Sequence, residues 1–171
     1  PSTPPPATTA SPSKSSAARC RHVPRARAHE VIAGFCVHDD VSVRDWQLRA
    51  PTWTMGKSFD THGPLGPWLT TPDEVGDPHA LSIRTLVNGE VRQSSNTKEL
   101  IFDCYALIEH ITTAFTLEVG DVIATGTPSG VGVSMKPPRM LVAGDVVRIE
   151  IANLGFIQNE IIPEPEETAR F

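Results

Sequence analysis

Five polar side chains of different chemistry fall within a short stretch of the chain. They are a carboxylate, a guanidinium, an amide, an ammonium and a hydroxyl, carried by Asp40, Arg44, Gln47, Lys57 and Thr61. Mg²⁺ is held by oxygen ligands, usually one or two carboxylates together with water and substrate. Arginine and lysine bind carboxylates and stabilise negative charge that develops during a reaction. The set therefore suits a divalent cation and a small, anionic, carbonyl-rich molecule.

The spacing of three of these residues predicts that they share one face of a helical turn. Asp40 and Arg44 are four residues apart, and Arg44 and Gln47 are three apart. Both separations bring side chains together on a helix. The same spacing is typical of a surface ion pair, which contributes about 0.3–0.5 kcal/mol. Spacing alone therefore leaves a catalytic and a structural interpretation open.

Longer motifs around these residues resemble the fumarylacetoacetate hydrolase family. In chain order they are Gly34-Phe35-Cys36-Val37, Asp40-Val41-Ser42, Arg44-Asp45-Trp46-Gln47, Gly56-Lys57-Ser58-Phe59-Asp60-Thr61, Pro64-Leu65-Gly66-Pro67, Val87-Asn88-Gly89-Glu90, Ser95-Asn96-Thr97, Gly120-Asp121-Val122-Ile123, Thr125-Gly126-Thr127-Pro128 and Gly130-Val131-Gly132. Their order and spacing match the family from about Val31 to Ile162. The chain is most similar to the fumarylacetoacetate hydrolase domain-containing branch, which comprises acylpyruvases and oxaloacetate tautomerases.

The resemblance implies an enzyme that uses Mg²⁺ or Mn²⁺ to act on small 2-oxo or β-dicarbonyl acids through an enolate. The reaction would be C–C hydrolysis of the acylpyruvate or fumarylacetoacetate type, or keto–enol tautomerisation of oxaloacetate. By position, the resemblance implies Asp40 as a metal ligand, Arg44, Gln47 and Lys57 as catalytic residues, and Thr61 and Thr127 as substrate-binding residues. Outside the resemblance, Lys57 would be a solvated loop lysine and the glycine-rich stretch around Thr127 a tight turn.

Two departures from the family pattern concern the metal site. The family's Glu-x-Glu metal pair and its His/Glu acid–base lid lie N-terminal to the matched part, where this chain is rich in Pro, Ser, Thr and Ala. The chain therefore resembles an N-terminally truncated member with one of three metal carboxylates. Asp39 stands where relatives usually have Asn or His, which adds a charge beside Asp40. The alternative to an enzyme is an inactive remnant that serves as a dimerisation or acid-binding module.

Turn and hydrophobic patterns predict a β-rich α+β fold. Asn88-Gly89 lies between two apolar stretches and predicts a hairpin. Turns at Gly120 and Gly144 each precede a β-branched run, which indicates two further strands. Asp103 is predicted to cap a helix. The resemblance sharpens this fold class to the rolled, mixed β-sandwich of the family's C-terminal domain.

The chain divides into three predicted segments. Residues 1–20 are expected to form a disordered tail, because their composition provides little apolar surface to bury. This tail has some features of an organellar transit peptide, but its composition favours a linker or an unnatural junction. Residues 21–165 are expected to form the catalytic domain, incomplete at its N-terminal side, and residues 166–171 a C-terminal tail.

Composition narrows the class of protein. At 171 residues, with 39% hydrophobic and 20% charged residues, the chain has the profile of one soluble globular domain. No apolar run approaches the ~20 residues of a membrane helix. Beyond Arg27, 10 basic residues face 20 acidic ones, which argues against nucleic-acid binding.

Three widely spaced cysteines predict reduced thiols in an intracellular protein, mitochondrial or cytoplasmic. The expected partners are a small dicarboxylic or 2-oxo acid and a second copy of the chain in a homodimer.

Overall fold

The computed structural model of the chain describes residues 6–7 and 10–165. Its strands are β1 (Pro6–Ala7), β2 (Ala10–Ser16), β3 (Ile32–Asp39), β4 (Ser42–Val43), β5 (Leu65–Thr70), β6 (Ser82–Val87), β7 (Glu90–Asn96), β8 (Val122–Ala124), β9 (Val146–Ile151) and β10 (Gly155–Glu160). Its α-helices are α1 (Arg44–Gln47), α2 (Pro72–Val75) and α3 (Cys104–Ala114). Short 3₁₀ helices cover Arg25–Val31, Thr54–Lys57, Thr97–Glu99 and Gly132–Ser134.

Two four-stranded sheets form the body of the domain. One has the order β5-β3-β2-β8 and the other β10-β9-β6-β7. Every strand pairing among the described residues is antiparallel. Side chains alternate between buried and more exposed along β6 and β9, as expected when one face of a sheet lies on a core. One hydrophobic cluster joins both sheets, including Phe35 and Val37 of β3 and Ile83 and Ile149 of the other sheet. The predicted β-rich α+β class is confirmed.

Local signals behave as the sequence predicts. The Asp103 carboxylate accepts hydrogen bonds from the backbone N–H groups of Tyr105 and Ala106 at 2.9 and 2.8 Å, which caps α3. Asn88 and Gly89 adopt positive φ values of 52° and 80° and join β6 to β7. Positive φ at both central residues is the geometry of a two-residue hairpin turn.

The hairpin also contains an irregularity that the sequence does not predict. Next to the turn, Leu86 pairs with Val91, but the following pair is Thr85 with Gln93. Arg92 is therefore an extra residue in β7, a β-bulge. Without the bulge, Thr85 would lie opposite Arg92.

The prediction of a disordered tail over residues 1–20 is wrong for Ala10–Ser16. This segment forms β2 and lies between β3 and β8, with Ser13 opposite both Cys36 and Ala124. Sheet pairing uses backbone N–H and C=O groups, which nearly every residue type carries. Composition reflects side-chain burial and carries no information on this backbone contribution. Residues 1–5, 8–9 and 166–171 lie outside the described residues, so the predicted C-terminal tail does too.

Within residues 6–7 and 10–165, no helix is long and apolar enough to cross a lipid bilayer.

Candidate active site

Asp40, the predicted metal ligand, follows the last residue of β3 in the β5-β3-β2-β8 sheet. β3 ends at Asp39, and Asp40 and Val41 connect it to β4, which leads directly into α1. Asp40 therefore lies outside the helix, and the prediction that it shares a helical face with Arg44 is wrong. The Ser42–Val43 strand interrupts the turn that the spacing suggested. The prediction that Arg44 and Gln47 share a helical face is right, because Arg44 Nη1 donates to Gln47 Oε1 at 2.6 Å.

Lys57, the last residue of the Thr54–Lys57 3₁₀ helix, contacts Asp40 and Ser42. Its Nζ donates to Asp40 Oδ2 at 2.5 Å and to Ser42 Oγ at 2.9 Å. The Lys57 and Asp40 side chains are 31% and 23% exposed, so the ion pair is partly shielded from water. Two residues predicted from the sequence to act on different partners therefore contact each other.

Gly56 allows the 3₁₀ helix to approach α1. A Cβ atom at Gly56 would lie 2.5 Å from both the backbone nitrogen and the Cα of Gln47. Since Gln47 is itself buried, α1 and the Thr54–Lys57 3₁₀ helix cannot separate to make room for a side chain without exposing Gln47. The absence of a side chain at Gly56 thus positions the neighbouring Lys57.

The Arg44 guanidinium has donors that no described residue uses. Its Nε and Nη2 are buried and have no hydrogen-bond partner among the described residues. Burial lowers the pKa of Arg44, and the charge of Asp40 acts in the opposite direction. An unpaired buried donor costs about 1–3 kcal/mol, and a ligand oxygen would remove that cost. Nε and Nη2 are a suitable fork for a carboxylate.

Asp39 faces the interior. It continues the buried row of Phe35 and Val37, because alternate residues of a strand share a face. It is 2% exposed, and its Oδ1 has no hydrogen-bond partner among the described residues. Burial, with a smaller contribution from the charge of Asp40, raises the pKa of Asp39 to about 7.

His38 lies on the opposite face of β3 and near the ion pair. Burial lowers the pKa of His38, while the charge of Asp40 raises it and that of Lys57 lowers it. A Cβ atom at Gly63 would lie 3.5 Å from His38 Nε2, so the loop after Lys57 passes beside the ring.

Thr61 lies in that loop, with a positive φ of 66° and an exposed side chain. It lines an open depression of about 360 Å³ together with Phe59, His62, Gly63 and Pro64. The Phe59 ring packs edge-on against Trp46 of α1, with ring centroids 5.5 Å apart. The depression is therefore held beside the Lys57 cluster by aromatic packing.

Thr127 is fixed from the other sheet. Gln93 Nε2, on β7, donates to Thr127 Oγ1 at 3.0 Å and to the Pro128 carbonyl oxygen at 2.8 Å. Thr85 Oγ1 on β6 donates in turn to Gln93 Oε1 at 2.8 Å. The structure thus brings Asp40, Arg44, Gln47 and Lys57 into one cluster and holds Thr127 through Gln93.

The donor set around Asp40 is incomplete for a metal ion. No group of three His, Cys, Asp or Glu side chains within residues 6–7 and 10–165 could hold one. Asp40 is also engaged by the Lys57 ammonium. The described residues therefore fit one carboxylate ligand of a divalent site but not a full set of protein ligands.

Sequence patterns did not single out Ser42 and Gln93, which contact Lys57 and Thr127. Ser42 is two residues from Asp40 in an extended segment, and this spacing places both side chains on one side. That signal was available in the sequence. Gln93 could not be found in the same way, since its place opposite Thr85 depends on the bulge at Arg92.

Comparison with known proteins identifies the domain. Residues 16–162 match the model of the fumarylacetoacetate hydrolase C-terminal domain. The mitochondrial oxaloacetate tautomerase of Xenopus laevis is 50% identical over 137 residues, 79% of this chain and 43% of that protein. The chain spans about half the length of the curated relatives it matches.

Two solved structures illustrate the shared fold. The fumarylacetoacetate hydrolase of Exiguobacterium antarcticum superposes with a TM-score of 0.90 at 37% identity, covering 94% of this chain and 57% of that one. Maleylpyruvate hydrolase from Sphingobium sp. SYK-6, solved with manganese(II) and pyruvate, gives a TM-score of 0.81 at 33% identity and covers 92% and 55%. These matches confirm the predicted family resemblance and the fold class.

Proposed function

Because this chain belongs to the fumarylacetoacetate hydrolase family, we propose that its site acts on small 2-oxo or β-dicarbonyl acids through an enolate. The reaction is C–C hydrolysis of the acylpyruvate or fumarylacetoacetate type, or keto–enol tautomerisation of oxaloacetate. Similar proteins include a hydrolase and a tautomerase: one is named a maleylpyruvate hydrolase and another an oxaloacetate tautomerase.

The observation that carries the proposal is the position of the Lys57 ammonium. An ammonium has three N–H donors. Two of them are directed at Asp40 and Ser42. The third can donate to a substrate oxygen that becomes negative as the enolate forms, and Asp40 and Ser42 hold the ammonium ready for it. Donors aimed at developing charge contribute strongly to catalysis because they need no reorganisation.

Arg44 binds the substrate carboxylate in this proposal. Every 2-oxo acid carries a carboxylate next to its ketone, and an arginine fork matches a carboxylate with two parallel hydrogen bonds. Nε and Nη2 of Arg44 are the donors for it. Gln47 holds Nη1 and so fixes the plane of the guanidinium. Thr61 and Thr127 supply hydroxyls to the other substrate oxygens.

Asp40 is the residue that would hold Mg²⁺ or Mn²⁺. When bound, the ion would polarise the 2-oxo carbonyl and so favour loss of the α-proton. A relative solved with manganese(II) and pyruvate makes such an ion plausible for this family. The described residues provide one carboxylate for such an ion. Water, substrate and ligands outside the described residues would have to complete the shell.

A second candidate function is binding without turnover. It is favoured by the pairing of Asp40 with Lys57 and by the absence of a three-ligand group in the described part of the chain. In this function the chain binds a small acid through Arg44 or acts as a dimerisation module. Exposed Leu48, Trp53 and Met55, which are 76%, 54% and 57% exposed, provide apolar surface for a homodimer.

The proposal includes an intracellular location, mitochondrial or cytoplasmic, which the reduced cysteines Cys20, Cys36 and Cys104 support.

Kinetics of the purified chain distinguish the two functions. Acylpyruvates and oxaloacetate are each mixed with the protein and Mg²⁺ or Mn²⁺, and loss of the enol or diketone absorbance is followed. Turnover that disappears in Lys57→Met supports the enzyme. Pyruvate binding by calorimetry that depends on Arg44, without turnover, supports the binding module. Neither turnover nor binding contradicts both.

A further inference from the structure

We propose that Gln93 is a positioning residue that directs the hydroxyl hydrogen of Thr127 towards the substrate. The inference rests on the proposed function in one respect, the role of Thr127 as a substrate-binding group. Gln93 itself touches no substrate, since it is 2% exposed.

The orientation of the Gln93 amide is determined by its neighbours. The Pro128 carbonyl oxygen can only accept, so the group 2.8 Å away must be the amide nitrogen. A flipped amide would place Oε1 against that carbonyl and leave two acceptors facing each other, which is unfavourable. On the other side, the Thr85 hydroxyl donates to Oε1 at 2.8 Å, and Thr85 is 1% exposed.

This orientation sets the role of the Thr127 hydroxyl. Gln93 Nε2 donates to Thr127 Oγ1 at 3.0 Å, so the oxygen serves as an acceptor in that bond. The single hydroxyl hydrogen of Thr127 therefore points away from Gln93. A hydroxyl that already accepts a hydrogen bond becomes a better donor, because bonds in a chain polarise one another. Thr127 is exposed, so its hydrogen can reach a carbonyl or enolate oxygen of a ligand.

The loop that carries Thr127 is anchored on β7 at further points. A Cβ atom at Gly130 would clash with the Arg92 carbonyl oxygen, so the loop backbone lies directly on the bulged strand. Further along, both terminal nitrogens of Arg139 donate to the Glu90 carboxylate, at 2.7 and 2.9 Å. Since these further contacts do not involve Gln93, loss of the Gln93 amide should change the hydroxyl direction more than the loop position.

Four variants separate positioning from simple packing. Gln93→Met keeps the volume of the side chain and removes its amide. Thr127→Val removes the hydroxyl, and Thr127→Ser keeps it. Gln158→Met is the matched control, because Gln158 is an exposed glutamine on β10.

The main experiment is a double-mutant cycle on the full chain with Mn²⁺ and an acylpyruvate. We expect Gln93→Met and Thr127→Val each to lower kcat/KM by about tenfold or more, since one transition-state donor is lost in both. The double variant should lose no more than either single one. Thr127→Ser should retain more kcat/KM than Thr127→Val, because it keeps the hydroxyl, and Gln158→Met should keep wild-type kcat/KM. Urea unfolding of each variant shows whether the fold survives. Fully additive losses in the cycle would overturn the positioning role while leaving the proposed function intact.

A measurement on the wild-type chain decides the inference if Gln93→Met does not fold or the chain shows no turnover. Oxalate, a planar analogue of the pyruvate enolate, is titrated while the side-chain amide signals of Gln93 are followed by NMR. We expect these signals to shift on saturation, because a new bond from Thr127 to the anion strengthens the bond from Gln93. Unshifted Gln93 signals would overturn the inference. Absence of wild-type turnover with shifted signals contradicts the proposed reaction alone.

Discussion

Lys57 Nζ lies 2.5 Å from Asp40 Oδ2, so the predicted metal ligand and the predicted oxyanion donor form one ion pair. The pair has two consequences. A divalent cation must compete with an ammonium for Asp40, and the ammonium is held in place before substrate arrives.

Lys57 and Arg44 should affect different kinetic constants. Lys57→Met should lower kcat by roughly 10²–10³, because it removes a donor to charge that forms only in the transition state. Arg44→Met should raise KM more than it lowers kcat, since the substrate carboxylate is charged before and after reaction. Steady-state kinetics with an acylpyruvate measure both. Lys98→Met, at an exposed lysine of the Thr97–Glu99 turn, is the matched control. Small and equal effects on kcat would identify Lys57 as an ordinary surface lysine.

Divalent binding by the wild-type chain should be weak. One carboxylate that already pairs with an ammonium should give a Mg²⁺ affinity in the millimolar range or weaker, about 4 kcal/mol or less. Lys57→Met should tighten Mn²⁺ binding by roughly tenfold, or about 1.4 kcal/mol, since it removes the ammonium that competes with the cation for Asp40. Titration followed by Mn²⁺ electron paramagnetic resonance measures the change. Micromolar Mg²⁺ binding by the wild-type chain that is lost in Asp40→Asn would contradict the prediction of weak binding.

Asp39 should make stability fall as the pH rises. Its pKa is raised from 3.8 to about 7, so the folded state binds the proton more tightly than the unfolded chain. Its contribution is therefore complete below about pH 4 and is lost as the pH rises through about 7. The loss is at most roughly 4 kcal/mol, at about 1.36 kcal/mol for each unit of pKa.

Asp39→Asn isolates this effect because asparagine stays neutral. The free energy of unfolding, measured with urea at pH 4.5 and pH 8, should fall less with pH in the variant than in the wild type. A fixed cost of the buried amide affects both pH values equally and cancels in the difference. Identical pH dependence in both proteins would show that the Asp39 carboxyl is not proton-bound in the folded state.

Gly56→Ala should destabilise the chain by about 2 kcal/mol or more. The added methyl would lie 2.5 Å from the Gln47 backbone and has to displace it, and overpacking of this kind typically costs 1–3 kcal/mol. Gly63→Ala is the control, because its nearest described atom would be 3.5 Å away, which is ordinary contact. Urea unfolding compares the two. Equal stability of both variants would refute the close packing of α1 on the Thr54–Lys57 3₁₀ helix.

The exposed apolar residues next to α1 should mediate dimerisation. Light scattering of the wild-type chain should give twice the chain mass of 18.5 kDa. Leu48→Glu should reduce this to the monomer mass, because it places a charge in an apolar contact. Val142→Glu, at another exposed apolar residue, should leave the dimer intact. A wild-type monomer at all concentrations would rule out the homodimer.

Much of the fold follows from signals between residues close in the chain. The Asn88-Gly89 turn, the Asp103 cap and the contact between Arg44 and Gln47 each join residues at most three apart. The geometry of such pairs depends on local backbone alone, so a sequence pattern is enough. The prediction that Asp40 shares a helical face with Arg44 was wrong for the opposite reason, because β4 interrupts the turn that local spacing suggested.

The sequence by itself determined the family, the β-rich fold class and the types of residue at the candidate site. Only the tertiary structure decided which of these residues meet. Lys57 and Asp40 are 17 residues apart, Gln93 and Thr127 are 34 apart, and β2 pairs with both β3 and β8. Such contacts depend on strand register and packing. One extra residue at Arg92 changes which side chain faces Thr85, and no local pattern encodes that choice.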